Sequence, residues 1–223
     1  MTPNPASGPA PEVGEAVVFV VDDDAGIRSA LRRLLKLHGL TVELYASGGE
    51  FLDSANLRRS GCLLLDVRMP GMNGLEVQAR LNERRIALPV IFLTGASDIP
   101  MAVAAMRQGA VDFIEKPFDN RHLLTRVRQA LDQARSRIQR NADRDAVLDR
   151  WNSLTPRERQ VLELVTVGKT AKEIARALGA SHRTIEIHRG HLMEKMGAST
   201  LAELVRMRLL ADDEGVDPAP TTT

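Results

Sequence analysis

The amino-acid sequence predicts two domains: an α/β domain built on a doubly wound, five-stranded parallel sheet, followed by a small all-helical domain. A chain of 223 residues is too long for one typical small domain and suits two. From residue 16 to residue 138, five short apolar runs alternate with amphipathic stretches. Such repeated strand–helix units imply a parallel sheet covered on both faces, because right-handed crossovers place helices on each side. Residues 151–210 show helical patterns only.

Apolar runs and helical spacing give the order of elements in the first domain. The expected strands are Ala16–Val21, Thr41–Tyr45, Gly61–Leu65, Pro89–Thr94 and Val111–Glu115. The helical signals between them are Leu31, Leu34, Leu35 and His38 with Gly39 as a stop, the capping box Ser47-x-x-Glu50, and Met101 to Gln108 before Gly109. A final helix is expected to begin near Asp119, and its apolar stripe runs to Ile138.

The second domain is expected to contain four short helices. Three Thr-x-x-Glu capping boxes begin at Thr155, Thr170 and Thr200, and Pro156 takes the first helical position after the first of them. Helix stops are expected at Gly168, Gly179 and Gly197.

Composition sets the expected domain boundaries. Residues 1–15 are rich in Pro, Ala and Gly and have neither the basic start nor the apolar stretch of a signal peptide, so we expect a disordered leader. The expected segments that follow are an α/β domain at 16–135, a polar linker at 136–150, a helical domain at 151–210 and a disordered acidic tail at 211–223. The sequence leaves open whether the helix that overhangs the first domain is solvated or pairs with a partner helix.

Composition also excludes several classes of protein. The run Ala16–Val21 is too short to span a membrane. The single cysteine, Cys62, excludes an intramolecular disulfide, favours a cytoplasmic location and lies in an apolar run typical of a buried side chain. Residues 12–127 carry 14 basic and 15 acidic side chains, whereas residues 151–210 carry 10 and 6. The positive excess permits nucleic-acid binding by the second domain.

Charged and hydroxyl side chains stand at the ends of four predicted strands. Asp22 and Asp23 follow the first strand, Asp66 ends the third, Thr94 ends the fourth and Lys116 follows the fifth. Because ligands bind outside the carboxyl ends of such strands, we expect these residues to share one crevice. Facing carboxylates repel each other unless a hard cation bridges them, and oxygen ligands suit Mg²⁺. The pattern therefore predicts a magnesium site.

One carboxylate of this group can attack phosphorus, since aspartate is able to form an acyl phosphate. Mg²⁺ and the ammonium of Lys116 are expected to neutralise the phosphoryl oxygens, and the Thr94 hydroxyl to donate a hydrogen bond. Gly95 leaves the pocket open to a phosphodonor. Asp24 is expected to cap the next helix rather than to bind the metal. Asp22 and Asp23 alone would more often be a solvated loop, but four elements in this order are a specific signal.

Residues 16–135 resemble the receiver domain of bacterial two-component response regulators, which has a flavodoxin-like fold. The matching residues are Asp22, Asp23, Asp66, Thr94, Phe113, Lys116 and the loop Met69-Pro70-Gly71-Met72-Asn73-Gly74. The resemblance implies that Asp66 is phosphorylated by a sensor histidine kinase. It implies that Asp22, Asp23, Asp66 and the backbone carbonyl of Arg68 hold Mg²⁺. It also implies that Phe113 turns inward when the phosphoryl group draws Thr94 toward it.

The segment from Thr170 to Arg189 fits a DNA-binding helix-turn-helix. Gly179 supplies the left-handed backbone of the turn, and Ala175 is small where the two helices approach closely. The second helix, about His182 to Met196, is then expected to lie in the major groove of DNA, with His188 packed on its inward face.

The outward face of this helix carries the expected DNA contacts. Arg183 is expected to read guanine, Glu186 to accept from cytosine and Ile187 to touch a thymine methyl, with Gly190 on the same face. The expected phosphate contacts are Ser181, Thr184, Arg189 and Lys195.

Residues 151–210 resemble the LuxR-type four-helix DNA-binding domain, through 154–159, 172–175, 183–188 and 195–197. Together with the receiver domain, they make the chain resemble regulators of the FixJ/NarL type. The resemblance implies a phosphorylation-dependent transcription regulator that catalyses only its own phosphorylation and dephosphorylation. The implied partners are a sensor histidine kinase, promoter DNA, a second copy of the phosphorylated chain and RNA polymerase, with no membrane.

Three alternatives stand beside this interpretation. A phosphatase with an aspartyl-phosphate intermediate needs its nucleophile at the first strand and a cap domain, whereas Asp66 ends the third strand. A LuxR-type sensor of a small molecule needs an aromatic-lined pocket, whereas the chain has only five Phe, one Tyr and one Trp. The third alternative, a dimeric regulator with a vestigial receiver that works without phosphate, is excluded only weakly.

Overall fold

The computed structural model describes residues 12–95, 106 and 109–212. The chain divides into two compact units between Ile138 and Gln139. Residues 1–11 of the expected leader lie outside the described residues, as do most of the expected acidic tail and the predicted helix Met101–Gln108 except Met106.

A five-stranded parallel sheet forms the centre of the first unit. Its strands are β1 (Glu12–Val21), β2 (Thr41–Tyr45), β3 (Arg59–Asp66), β4 (Val90–Thr94) and β5 (Asp112–Glu115). The strand order is β2-β1-β3-β4-β5 and every neighbouring pair is parallel, which confirms the predicted doubly wound sheet. The order reverses between β1 and β3, and the ends of these two central strands form the crevice where such folds bind ligands.

The first strand is longer than its apolar run predicts. It begins at Glu12, which pairs with Arg59 of β3, so residues 12–15 lie in the sheet rather than in a disordered leader. The β1–β3 register shifts between Glu12 and Val17. Backbone pairing with β3 extends the strand through polar residues that hydrophobic patterning does not mark.

Helices cover both faces of the sheet. They are α1 (Ala25–Leu37), α2 (Gly48–Ser54), α3 (Gly74–Glu83) and the first part of α4 (Asn120–Asn152). Val17, Phe19 and Val21 of β1 face a core shared with α2 and α3, whereas Val18 and Val20 face a second core shared with α1 and α4. This alternation follows from the two-residue period of a strand.

Cys62 is fully buried in the core on the α1 side of the sheet, as its apolar neighbours predicted. Burial raises the pKa of its thiol to about 12, so the thiolate needed for nucleophilic chemistry is not formed at neutral pH.

The long helix α4 contributes to the cores of both units. Leu123 and Val127 are buried in the first unit, and Val147 is buried in the second. The expected linker at 136–150 is therefore helical, and the core of the second unit already includes Val147, before the expected boundary at 151. Its polar residues still favour a helix through side-chain pairs four residues apart, such as Gln139 with Asp143 at 2.8 Å.

Four further helices build the second unit, as predicted: α5 (Pro156–Thr166), α6 (Ala171–Ala177), α7 (His182–Met196) and α8 (Leu201–Asp212). Complete capping boxes begin α5 and α6 at Thr155 and Thr170. Thr200 accepts the Glu203 N–H, but the Glu203 carboxylate accepts from Ser199 instead of completing a box. Within the described ranges, no helix is both long and apolar enough to cross a membrane.

Gly61 lies in β3 where the sheet leaves no room for a side chain. A Cβ at this position would overlap the carbonyl oxygen of Val17 on β1. We therefore expect Gly61→Ala to lower the free energy of unfolding by about 1 to 3 kcal/mol, the usual cost of overpacking a core, when measured by chemical denaturation. The control Gly49→Ala, where a Cβ meets nothing within 4 Å, should leave that free energy unchanged or slightly raised. Equal stability of the two variants would contradict this packing.

Candidate functional site

Three carboxylates meet at the carboxyl edge of the sheet. Asp22 follows β1 and Asp66 ends β3, which are neighbouring strands, and Asp23 comes next in the loop after β1. One oxygen from each carboxylate lies within 4.8 Å of the others. Asp22 is completely buried and Asp66 is 7% exposed, whereas Asp23 faces solvent. The predicted acidic group is therefore assembled with one open side.

Lys116 joins the two buried carboxylates. Its Nζ lies 2.7 Å from Asp22 Oδ2 and 2.7 Å from Asp66 Oδ1. The residue is placed by the end of β5, where its backbone N–H donates to the Thr94 carbonyl at 2.7 Å. A cis peptide bond connects it to Pro117. The ammonium thus closes one side of the crevice.

Burial and charge together set the protonation of this group. Burial raises the pKa of Asp66 above its usual value and the charges of Asp22 and Asp23 add to the rise, while Lys116 opposes it. For Lys116, burial disfavours the charged form, but the hydrogen bonds to Asp22 and Asp66 outweigh burial and raise its pKa. One firmly held cation therefore faces three carboxylates, an arrangement that attracts a second cation.

The donor set fits Mg²⁺. Carboxylate oxygens with an open, solvent-facing side suit a hard cation that keeps several waters. Two hydrogen bonds fix Asp22 in this position. Its Oδ1 accepts the backbone N–H of Asp24 at 2.9 Å, and its backbone carbonyl accepts from Nη1 of the Arg28 side chain at 2.6 Å. Arg68 is exposed two residues after β3, in the loop where its carbonyl is expected to act.

Asp24 caps helix α1, as the sequence predicted. Its Oδ1 accepts the backbone N–H groups of Gly26 at 2.6 Å and Ile27 at 3.1 Å. The hydrogen bonds from Ile27 and Gly26 lower the pKa of this carboxyl. The cap also directs the Asp24 carboxylate toward the helix backbone, and leaves Asp22 and Asp23 to form the acidic group with Asp66.

Thr94 and Phe113, the two residues expected to move on phosphorylation, differ in exposure. Thr94 ends β4 and is 4% exposed, one residue beyond the Leu93 that pairs with Asp66. Gly95 follows it and is half-buried. Phe113 on β5 is 45% exposed, so its ring lies outside the core. Thr94 and Phe113 lie on the neighbouring strands β4 and β5, where Phe113 pairs with Phe92, two residues before Thr94.

Asp112 and Arg126 form a contact that sequence reasoning missed. Asp112 Oδ1 accepts the N–H of Phe113 at 2.9 Å, and Arg126 Nε of α4 lies 2.8 Å from Asp112 Oδ2. The pair ties the start of β5, and hence the backbone of Phe113, to α4. No spacing rule marks it, because the two residues come from different elements.

Helix α7 presents the second candidate site. Ile185, Leu192 and Met196 are buried, and His188 is half-buried on the same face, as predicted. The residues exposed on the rest of the helix include Arg183, Glu186, Ile187 and Gly190, and Ile187 is 50% exposed. The structure therefore brings the predicted base-reading residues to the surface.

Polar groups around α7 have partners within the protein. Ser181 caps the helix by accepting the Thr184 N–H at 3.0 Å, and the two hydroxyls lie 2.8 Å apart. Arg189 Nη1 is 3.4 Å from Glu186 Oε1, an ion pair along the exposed face. The exposed pair is weak and leaves both side chains able to turn to another partner.

Lys195 has a structural partner that the sequence analysis did not foresee. Its Nζ lies 2.8 Å from Oε2 of Glu158, which is buried between α5 and α7. Burial opposes the charge of Glu158, but hydrogen bonds from Lys195 and the Thr155 backbone hold its pKa down to about 2. The sequence had indicated Glu158 only as a capping residue, and Lys195 as a phosphate contact. The structure favours a role for Lys195 in fixing α7 to α5.

Comparisons with known proteins match each unit to a family. Residues 18–128 match the model of the response regulator receiver domain. Residues 152–208 match the model of the bacterial regulatory proteins of the luxR family.

Relatives also match the chain over nearly its whole length. The transcriptional regulatory protein FixJ of Azorhizobium caulinodans is 45% identical over 206 residues, which cover 92% of this chain and 96% of the relative. The response regulator protein TodT of Pseudomonas putida is 43% identical, with 86% of this chain and 85% of the relative covered.

Solved structures of response regulators also match this chain over most of its length. StyR, described as a response regulator, has a TM-score of 0.77 at 40% identity and covers 88% of this chain and 99% of its own. Full-length FixJ from B. japonicum has a TM-score of 0.57 at 41% identity, with 88% and 97% covered.

The Glu158–Lys195 pair predicts a pH dependence of stability. Because the pKa of Glu158 falls from 4.5 to about 2 on folding, the pair stabilises the second unit above pH 4.5 and is lost as the pH falls toward 2. We expect Glu158→Gln to lower the free energy of unfolding by roughly 1 to 3 kcal/mol near pH 6 and by much less near pH 2. Fluorescence of Trp151, the single tryptophan, measures this unfolding. The exposed Glu163→Gln on the same helix is the control, and a deficit independent of pH would contradict the assignment.

Proposed function

Because the chain belongs to the two-component response regulators that join a receiver domain to a LuxR-family DNA-binding domain, we propose that phosphorylation of Asp66 controls its binding to promoter DNA. The chain is a transcription regulator and not a conventional enzyme. We propose a receiver domain at residues 16–135, preceded by the start of β1 at Glu12, and a DNA-binding domain at 151–210, whose core also includes Val147 of the helical segment 136–150. The observation that carries the proposal is the contact of Lys116 with both Asp22 and Asp66 beside the exposed Asp23.

Asp66 is the proposed nucleophile. One of its carboxylate oxygens attacks the phosphorus of a phosphohistidine on the kinase, a P–O bond forms, and the P–N bond breaks with its electron pair on the imidazole nitrogen. Lys116 turns from the carboxylate to the incoming phosphoryl oxygens, and the Thr94 hydroxyl donates to them. Mg²⁺ held by Asp22, Asp23, Asp66 and the Arg68 carbonyl would supply charge neutralisation for the transfer. The receiver thus catalyses only its own phosphorylation and dephosphorylation.

The signal starts at two residues next to the phosphoryl site. Thr94, buried in the unphosphorylated state, moves toward the phosphoryl group, and the exposed ring of Phe113 turns into the space that it leaves. The added charge of the phosphoryl group shifts the equilibrium between the two arrangements of Thr94 and Phe113, and the new arrangement favours a homodimer of the phosphorylated chain. Gly95 keeps the pocket accessible to the phosphodonor.

Helix α7 is the proposed DNA-recognition element. Arg183, Glu186, Ile187 and Gly190 are exposed and are assigned to base edges. Ser181, Thr184 and Arg189 are assigned to phosphates, whereas Lys195 is assigned to Glu158. A sensor histidine kinase and promoter DNA are the partners that the family implies, and RNA polymerase is the proposed third.

The arrangement does not favour a vestigial receiver. Asp22, Asp23, Asp66 and Lys116 lie together at the carboxyl edge of the sheet, and Thr94 ends the strand next to β3. These contacts support a receiver that keeps all the groups of the proposed phosphoryl transfer. The acceptor also ends the third strand, unlike the first-strand nucleophile that the phosphatase alternative needs.

Intact mass spectrometry tests the phosphoacceptor. After incubation of the full chain with acetyl phosphate and Mg²⁺, we expect one phosphoryl group per chain, and none when Mg²⁺ is removed by a chelator. Asp66→Ala should give no adduct, because the nucleophile is lost, while the exposed Asp53→Ala should behave like the wild type. An adduct on Asp66→Ala would contradict the assignment.

Fluorescence anisotropy tests the recognition helix. With a labelled duplex selected by the phosphorylated wild-type chain from a random pool, we expect Arg183→Ala to weaken binding about tenfold and to relax specificity at one base pair, as loss of a bidentate base contact does. Arg206→Ala, an exposed change of the same charge on α8, is the control. Equal weakening by both variants would mean that Arg183 contributes only charge.

A further inference from the structure

The last turn of α4 is built into the second unit. Val147 is 6% exposed in the same core as Ile185 and Met196 of α7. Trp151 packs against this core, and the guanidinium of Arg208 from α8 lies 4.9 Å from the centre of its ring. The end of α4 therefore contacts residues of both α7 and α8.

Arg150, in the same turn of α4, caps the C-terminal end of α7. Its Nη1 donates to the carbonyl oxygen of Met196, the last residue of α7, at 3.0 Å. The final carbonyls of a helix have no partner within the helix, and a cation at this end also interacts favourably with the helix dipole. The N–H groups that follow the helix donate to earlier carbonyls, Gly197 to Glu194 at 3.0 Å and Ala198 to Met193 at 3.0 Å, while the Met196 carbonyl accepts from Arg150.

The turn after α7 is shaped to admit this guanidinium. Gly197 has a φ of 64°, the left-handed conformation that ends the helix. A Cβ at this position would lie 3.1 Å from Arg150 Nη1 and 3.5 Å from its Cζ. Glycine thus provides both the turn and the room for Arg150 next to the Met196 carbonyl.

We infer that Arg150 is a positioning residue for DNA recognition. Through Met196 it fixes the C-terminal end of α7 to α4, and so limits the orientations of the helix that presents Arg183 and Glu186, without itself touching DNA. This inference rests on the proposed role of α7 as the recognition helix. Its physical basis is preorganisation, since a helix already held in its binding orientation loses less conformational freedom on binding.

Binding measurements on the full chain over a range of salt concentrations test this role. With acetyl phosphate, Mg²⁺ and the labelled duplex selected by the wild type, we expect Arg150→Ala to raise the dissociation constant roughly tenfold, the effect of one lost hydrogen bond to a charged group. The slope of log affinity against log salt should not change, because no phosphate contact is lost. Arg150→Lys should restore most of the affinity, because its ammonium can donate to Met196. Arg135→Ala, the same charge change in an exposed position of α4, is the control.

Several results would overturn the inference. A slope smaller by about 0.9 in Arg150→Ala but not in Arg135→Ala would show a direct phosphate contact. A positioning role would be excluded if Arg150→Ala bound DNA with wild-type affinity. It would also be excluded if Arg150→Lys did not restore binding while Trp151 fluorescence reported a folded second unit. If Arg150→Ala is unfolded at the assay temperature, the decision passes to Arg150→Met, a long side chain that cannot donate to the Met196 carbonyl. This variant should weaken binding roughly tenfold with an unchanged salt slope, and wild-type affinity would exclude the role. Failure of the wild type to select any duplex would contradict the proposed function itself.

Discussion

The contact of one lysine with two buried aspartates is the interaction on which the acidic site at the edge of the sheet depends. Asp22 and Asp66 are forced together because β1 and β3 are neighbours that end at the same edge of the sheet. Buried carboxylates without a cation would be costly, and Lys116 supplies one at 2.7 Å from each. Its single charge does not balance three carboxylates. The excess negative charge suits the site to Mg²⁺, and the proposed phosphoryl transfer needs that ion together with Lys116 to neutralise the phosphoryl oxygens.

A buried ion pair also stabilises the packing of the second unit. Glu158 is buried and is held in its charged form by Lys195, which attaches α7 to α5. Arg150 adds a second attachment, from the end of α4 to the C-terminal end of α7. Since α4 also buries Leu123 in the first unit, one continuous helix contributes side chains to both cores. Residues 136–150, between the two cores, are therefore helical.

Much of this was accessible from the sequence, for a clear reason. Strand ends in a parallel sheet converge, so the positions of Asp66 and Lys116 in the chain were enough to predict that they meet. Local features were equally predictable: Asp24 caps α1, and Thr155 begins α5 with a complete capping box. What escaped prediction depends on pairing between distant elements. The start of β1 is set by β3, and the partner of Lys195 lies 37 residues away in the chain.

The proposed function requires that phosphorylation of Asp66 control DNA binding by the second unit. The most direct measurement is the affinity of the full chain for its selected duplex before and after treatment with acetyl phosphate and Mg²⁺, made in parallel on Asp66→Asn. We expect tighter binding by the treated wild type and no change in Asp66→Asn. Equal affinity of the treated and untreated wild type, despite complete phosphorylation by mass, would contradict it.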